Sequence, residues 1–231
     1  MKFTFMTLFP ELIASYFGDS ILKKALDNGH FSMALVNPRD FSASIHHKVD
    51  DTAVGGGAGM VMAVQPLRDA LLHTAKDAYV IVMTPVAKPF TQQDAKRLAK
   101  KEHICFVSGR YEGIDERFIE QYADEVLSIG DYILTGGELP SLVCSDAIAR
   151  MLPGVLGNKD SLIEESFEVP LLEAPCFTKP ANLDESLVPS EYLKGNHSRI
   201  QALKFLLSKA KTAYFRPEAL KKFLQRGLYE K

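Results

Sequence analysis

Apolar and polar positions alternate along Lys2–Leu8, which predicts a β-strand ended by Phe9-Pro10. From Glu11 to Asn28 the apolar positions recur at helical spacing, and Gly29 closes the run. Phe31–Asn37 reads as a second strand, stopped by Pro38. Residues 40–60 show no such period. They are polar, then glycine-rich, and read as loop. Pro66 stands where a first helical turn tolerates proline, and Leu67, Ala70 and Leu71 give the helix that follows an apolar face.

The pattern then becomes regular. Tyr79–Met83 is an apolar, β-branched run of the kind found in strands covered on both faces. Thr91 and Asp94 have capping-box spacing and predict a helix running to about Glu102. Ile104–Val107 is the next strand, Asp115–Tyr122 a short helix, Glu125–Ile129 another strand, and Leu139–Met151 a mostly apolar helix. Strand and helix in alternation predict an α/β fold with a largely parallel sheet. Pro153-Gly154 ends the last helix. Four prolines, at 170, 175, 180 and 189, punctuate an irregular stretch before a basic amphipathic helix at Ser198–Ala213 and a shorter one at Pro217–Arg226. The expected organisation is a main domain at 1–157, a polar interdomain linker at 158–168 able to order on binding, and a helical C-terminal domain at 169–231.

Composition adds a charge asymmetry. The 231 residues sum to a net charge of −2, but residues 1–168 carry −7 and residues 169–231 carry +5. A basic C-terminal quarter on an acidic body suggests a polyanion-binding appendage, with a solvated helical surface as the plain alternative. Three widely spaced cysteines, Cys105, Cys144 and Cys176, form no metal-type pair, so no metal site is expected, and free thiols suit a reducing cytoplasm. No run has the length of a membrane span, and Met1–Pro10 lacks a signal-peptide pattern.

In an open parallel sheet, ligands bind beyond the carboxyl ends of the strands. Three predicted strand ends carry ligand-type turns: Thr84-Pro85, Ser108-Gly109-Arg110, and Ile129 to Leu134 leading into Gly136-Gly137. Exposed backbone groups there suit an adenine edge and an amino-acid moiety. Neither a dinucleotide fingerprint nor a phosphate-loop motif occurs. The cluster Gly55-Gly56-Gly57-Ala58-Gly59 follows Asp50-Asp51 and lacks a lysine, which makes a poor phosphate cradle. It reads as a mobile substrate-side loop, with Asp50 and Gly59 its candidate substrate-contacting positions, or else as a flexible connection.

These blocks resemble a known family. T-L-F-P at 7–10, N-P-R-D-F at 37–41, V-D-D at 49–51, G-G-G-A-G-M at 55–60, G-R-Y-E-G-I-D-E-R at 109–117, S-I-G-D-Y-I-L-T-G-G-E-L-P at 128–140, P-G-V-L-G at 153–157 and G-N-H at 195–197 are similar, in order, to the bacterial tRNA (guanine-N(1)-)-methyltransferases of the TrmD family, SPOUT class. The resemblance implies a SPOUT domain with a deep trefoil knot, S-adenosyl-L-methionine as methyl donor, and N1 of the guanine at tRNA position 37, next to the anticodon, as acceptor. It implies a homodimer with each active site shared between subunits, no membrane association, and magnesium as an activity-supporting ion for which the sequence displays no cage. A ribose 2′-hydroxyl acceptor and a catalytically silent RNA-binding protein are the rival readings.

Carried over residue by residue, the resemblance implies a donor pocket of Thr84, Pro85, Gly109, Glu112, Ile129, Gly130, Asp131, Tyr132, Ile133, Leu134, Gly136 and Gly137. It implies Arg150 as the cation stabilising guanine O6. It implies Glu165 as the base on N1, with Glu164 the neighbouring alternative, where the family has aspartate. Lys179, Lys194, His197 and Arg199 are candidate phosphate contacts. Three further departures are Thr84-Pro85-Val86-Ala87, where the family has S-P-Q-G, Cys176-Phe177-Thr178-Lys179-Pro180, where it has H-Y-T-R-P, and Leu203 in place of a tryptophan after G-N-H.

Overall fold

The computed structural model describes residues 1–157, 165–167, 169–183 and 186–229. The chain forms two compact units, residues 1–157 and 158–231. In the first, the elements run β1 (Lys2–Met6), α1 (Pro10–Tyr16), α2 (Ser20–Asp27), β2 (Ser32–Val36), a 3₁₀ turn (Pro38–Phe41), β3 (Asp50–Thr52), β4 (Met60–Met62), α3 (Val64–Thr74), β5 (Tyr79–Met83), α4 (Gln92–Leu98), β6 (His103–Ser108), α5 (Glu116–Tyr122), β7 (Glu125–Leu127) and α6 (Glu138–Ala149). Five of the strands make one parallel sheet, ordered β2-β1-β6-β5-β7. The α/β expectation holds.

The sheet is buried on both faces, which is why its strands read as continuous apolar runs. Alternate residues point to opposite sides. Phe3, Phe5, Ile81, Ile104, Phe106 and Leu127 pack with α1, α2, α4 and α6. Met6, Val80, Val82, Cys105 and Val107 pack with α3 and with Phe118 of α5. Register puts Phe5 opposite Phe106, with ring centroids 5.6 Å apart in a stacked pair. Cys105 and Cys144 are buried and their thiols are pushed up to about 12 by desolvation, so they are packing groups.

Two expectations fail for identifiable reasons. The helix expected from Glu11 to Asn28 is two helices. Phe17-Gly18-Asp19 interrupts it, the Asp19 carboxylate accepts from the Ser20 N–H, and Ser20 takes a φ of 66°. The period survives the break because Ile13, Phe17, Leu22 and Ala25 all reach the same core. The stretch read as loop at 40–60 contains an antiparallel hairpin, β3 with β4. Its strands are three residues long, too short for a periodic signal. They are held by tertiary contacts: Met62 N–H donates to Gly113 O, and Asp115 N–H to Met62 O. Element ends also move. α4 stops at Leu98 rather than near Glu102, and β7 stops at Leu127. The Thr91–Asp94 capping box is present.

The second unit holds a two-stranded hairpin, β8 (Asn182–Leu183) with β9 (Ser186–Leu187), then α7 (Ser190–Leu193), α8 (His197–Phe215) and α9 (Pro217–Tyr229). α9 is longer than expected. The buried Ser208 and Thr212 hydroxyls bond the Leu172 and Ser208 carbonyls, and Thr212 Oγ1 also accepts the Leu172 N–H at 2.9 Å, which fastens the proline-punctuated stretch to α8. No helix among the described residues is long and apolar enough to cross a membrane.

One ion cluster ties α4 and the loop after β5 to β7. Glu125 meets Lys88 at 2.9 Å and Arg97 at 2.8 Å, and both cations also reach Asp94. Burial alone would raise the Glu125 carboxyl, but bonds from Lys88 and Arg97 outweigh it and leave it below its ordinary value. A depressed carboxyl stabilises the fold above the unfolded-state value and loses that contribution as pH falls through the folded one. Wild-type stability in denaturant titrations should therefore fall as pH drops below about 4. Glu125→Gln should cost about 1 kcal/mol at neutral pH, a figure discounted for the half-exposed cations, and should flatten that acid limb.

Candidate active site

The carboxyl ends of β5, β6 and β7 lie side by side in the sheet, so the three segments that follow them meet. The segment after β7 runs between the other two. On one side Thr84 N–H donates to Leu127 O, Ser128 N–H to Lys88 O, and Phe90 N–H to Ser128 O at 2.7 Å. On the other, Gly137 N–H donates to Gly109 O at 2.8 Å. Among these segments lies a cavity of about 500 Å³, lined from 82–87, 109–114, 126–130 and 132–137.

Glycine is required at Gly137, while at Gly136 an added carbon would displace side chains. A Cβ on Gly137 would sit 2.7 Å from Ser108 Cα and 2.8 Å from Gly109 N, both backbone atoms that cannot swing aside. A Cβ on Gly136 would meet Glu138 Oε2 at 2.6 Å and strike the Arg110 side chain. Tyr111, by contrast, is a non-glycine residue held at a φ of 59° in the cavity wall, strain of about 1 kcal/mol or more of the kind that collects at binding sites.

Of the donor-pocket residues expected from the sequence, Thr84, Pro85, Gly109, Glu112, Ile129, Gly130, Tyr132, Ile133, Leu134, Gly136 and Gly137 all line the cavity. Asp131 does not. It sits at the outer bend of the 130–132 turn, exposed, while Tyr132 N–H folds back onto Gly130 O and the Tyr132 hydroxyl donates to Ile129 O. The departure at Ala87 has no backbone consequence. Its N–H donates to Thr84 O, and Ala87 lies outside the left-handed region that would call for glycine.

Three residues, Thr7, Arg110 and Glu138, form a polar contact at this wall, with Arg110 lining the cavity. Glu138, the first residue of α6, is 2% exposed. Its Oε1 accepts from the Thr7 hydroxyl at 2.7 Å, and its Oε2 lies 2.9 Å from Arg110 Nε. The Oε2 and Nε atoms form an ion pair but are not aligned for a hydrogen bond, and neither has another partner. Arg110 Nη1 donates to Thr135 O at 3.1 Å, and the guanidinium lies 4.3 Å from the Phe9 ring centroid. All three residues belong to sequence blocks already singled out, at 7–10, 109–117 and 128–140. Only the fold shows that they touch.

The hairpin β3–β4 adjoins the same wall. Glu112 N–H donates to Met60 O at 2.9 Å. A Cβ on Gly59, whose φ is 83°, would fall 2.6 Å from Glu112 Oε1. A candidate acceptor-side residue thus touches a candidate donor-side one. Asp50 is half-buried in β3, opposite Met62.

Arg150 is the C-cap of α6 and is half-buried. In the second unit, Glu165 is half-buried next to Ser166, whose Oγ accepts the Glu173 N–H. Glu164 lies outside the described residues, as does most of the stretch read as a linker. Lys179, Lys194, His197 and Arg199 are all exposed. The last three flank the α7–α8 corner, and the Asn196 side chain caps α8 at the Arg199 N–H. Phe177 packs on Tyr192 at 5.4 Å and so draws the segment carrying Lys179 towards that corner. Among the described residues no group of His, Cys, Asp and Glu is arranged to hold a metal ion.

A family model described as tRNA (Guanine-1)-methyltransferase TrmD matches residues 1–222. A tRNA (guanine-N(1)-)-methyltransferase of Sulfurimonas denitrificans is 64% identical over 225 residues, covering 96% of this chain and 97% of that protein. Proteins of the same name from a Sulfurovum species and from Campylobacter curvus are 58% and 54% identical, each over 96% of this chain and over 99% and 95% of their own lengths.

The glycine packing generates a direct test. Gly137→Ala should abolish ligand binding in the cavity and destabilise the protein by about 1–3 kcal/mol, as overpacking does. Gly157→Ala, where an added Cβ meets nothing within 4 Å, should change neither. Thermal melts and calorimetric titration with S-adenosyl-L-methionine read both effects.

Proposed function

The chain belongs to the tRNA (guanine-1)-methyltransferase TrmD family, of the SPOUT class, and from that premise we propose that it transfers a methyl group from S-adenosyl-L-methionine to N1 of guanine 37 in tRNA. The observation that carries this reading is the cavity at the ends of β5, β6 and β7, walled by the same blocks that resemble the family's donor-binding segments. Its volume of about 500 Å³ suits a nucleoside-sized cofactor. Gly137 lets its segment lie directly on the end of β6, and residues 129, 130 and 132–134 border the cavity. Glu112 offers a carboxylate for the donor's α-ammonium group. The donor, when bound, supplies an activated methyl on a sulfonium sulfur, so no metal is needed to prepare a leaving group.

The acceptor carries the difficulty, because guanine N1 holds a proton and is a poor nucleophile. In our reading Glu165 accepts that proton, leaving a nucleophilic N1 lone pair. Arg150 stabilises the negative charge that then spreads to O6. The new bond forms between N1 and the methyl carbon as the carbon–sulfur bond breaks, with its electron pair left on a neutral thioether. In-line transfer needs both partners fixed, and the strand-end scaffold serves that positioning.

The rest of the reading follows from the same premise. The second unit grips tRNA through the exposed cations at the α7–α8 corner, with Lys179 beside them and the net +5 of residues 169–231 behind them. Asp50 and Gly59 face the acceptor. The protein works as a homodimer with shared sites. That is supported by the exposed apolar edge of α1 and α6, where Phe9, Leu12, Tyr16, Leu139 and Val143 are each at least two-fifths exposed. The passage of 128–137 between its two neighbouring loops accords with the family's knot, and three free thiols accord with a reducing cytoplasm.

Methyl transfer to a transcript with guanine at position 37, followed by mapping of the modified atom, tests the reading. Wild type should label N1. Glu165→Gln should lower turnover at least 100-fold, on the order expected for loss of a general base. Arg150→Ala should lower it on the order of 100-fold. Both variants should still bind the donor. Full activity in Glu165→Gln would remove the assigned base, and label on a ribose oxygen would change the acceptor.

A further inference from the structure

Glu138 carries a charge in a place where charge is expensive. A buried carboxylate is tolerated only when paired and hydrogen-bonded. Its surroundings are those of an anion: a hydroxyl donor from Thr7 at 2.7 Å, a guanidinium atom from Arg110 at 2.9 Å, and the amino end of the twelve-residue helix α6. Packing alone would be served as well by an uncharged side chain. The pair also joins three separate segments: the β1–α1 turn through Thr7 and Phe9, the loop after β6 through Arg110, and Thr135 just before α6. Two of these segments wall the cavity.

The cavity wall therefore contains a permanent cation, since a guanidinium is always charged. On the reading above, the donor is itself a cation, with its positive charge on sulfur. Two carboxylates line the cavity, Glu112 and, at the start of α5, Glu116. The Arg110 guanidinium pairs with Glu138, donates to Thr135 O and lies over the Phe9 ring. We propose that Glu138 is a positioning residue that neutralises Arg110 in the cavity wall, so that the cavity accepts a sulfonium ligand instead of favouring its neutral thioether product. This inference rests on the donor reading and adds a determinant of selectivity between donor and product.

An uncompensated unit charge in a partly buried wall, at an effective dielectric of about 20, changes the affinity of a charged ligand by about tenfold and leaves a neutral sulfur largely unaffected. The test is calorimetric titration with S-adenosyl-L-methionine and with S-adenosyl-L-homocysteine, whose sulfur is uncharged. Both ligands share the adenosine and amino-acid groups, so the ratio of their affinities isolates the sulfur charge. Glu138→Gln should lower the affinity for the sulfonium ligand about tenfold relative to the thioether. Arg110→Gln should shift the ratio the other way, and the double variant should return it close to the wild-type value. Because Arg110→Gln reads the same ratio, the inference stays testable if Glu138→Gln fails to fold. Equal losses for both ligands in both single variants would reduce the pair to a structural strut and overturn the inference alone. Wild-type protein that binds neither ligand would overturn the donor reading and this inference with it.

Discussion

The contact on which the site depends is backbone against backbone: the Gly136-Gly137 turn lies on the end of β6, with Gly137 N–H bonded to Gly109 O and no room for a side-chain carbon between Gly137 and Ser108. That approach sets where α6 begins. It also sets where the first α6 residue, Glu138, must go, which is into the interior beside Thr7 and Arg110. The segment after β7 is then bounded on both sides, by the loop after β5 and the loop after β6, and the cavity is the space that remains.

The scaffold and the site divide the physical work. Hydrophobic burial on both faces of a parallel sheet makes the strands rigid and places their carboxyl ends together. Backbone hydrogen bonds and glycine geometry shape what lies beyond those ends. Polar interactions appear where loops must be held against the sheet: the Lys88, Asp94, Arg97 and Glu125 cluster at β7, and the Arg110–Glu138 pair between the loops. The left-handed backbone at Tyr111 persists because the segments around it are fixed independently.

Much of this was legible in the chain. Apolar runs at 79–83 and 104–107 became the central strands, and the Thr91–Asp94 spacing became a capping box. Eleven of the twelve residues expected in the donor pocket line one cavity, because turn residues following buried parallel strands are brought to one edge by the sheet itself. The failures share a cause. The hairpin at Asp50–Thr52 and Met60–Met62 is too short to carry a period and owes its strands to Gly113 and Asp115. The break at Gly18 hides because the residues on either side of it reach one core.

By itself, the sequence determined the α/β class, the turns that wall the strand-end cavity and the family, since these rest on local periodicity, turn residues and ordered motifs that do not depend on distant contacts. The tertiary structure decided the rest. Only folding brings Thr7, Arg110 and Glu138 together across 131 residues of chain, and only the folded distances show that Gly59 adjoins Glu112. Long-range pairing of a buried charge leaves no periodic trace in a linear pattern, because its energy depends on which groups share a low-dielectric interior and not on which groups are neighbours in sequence.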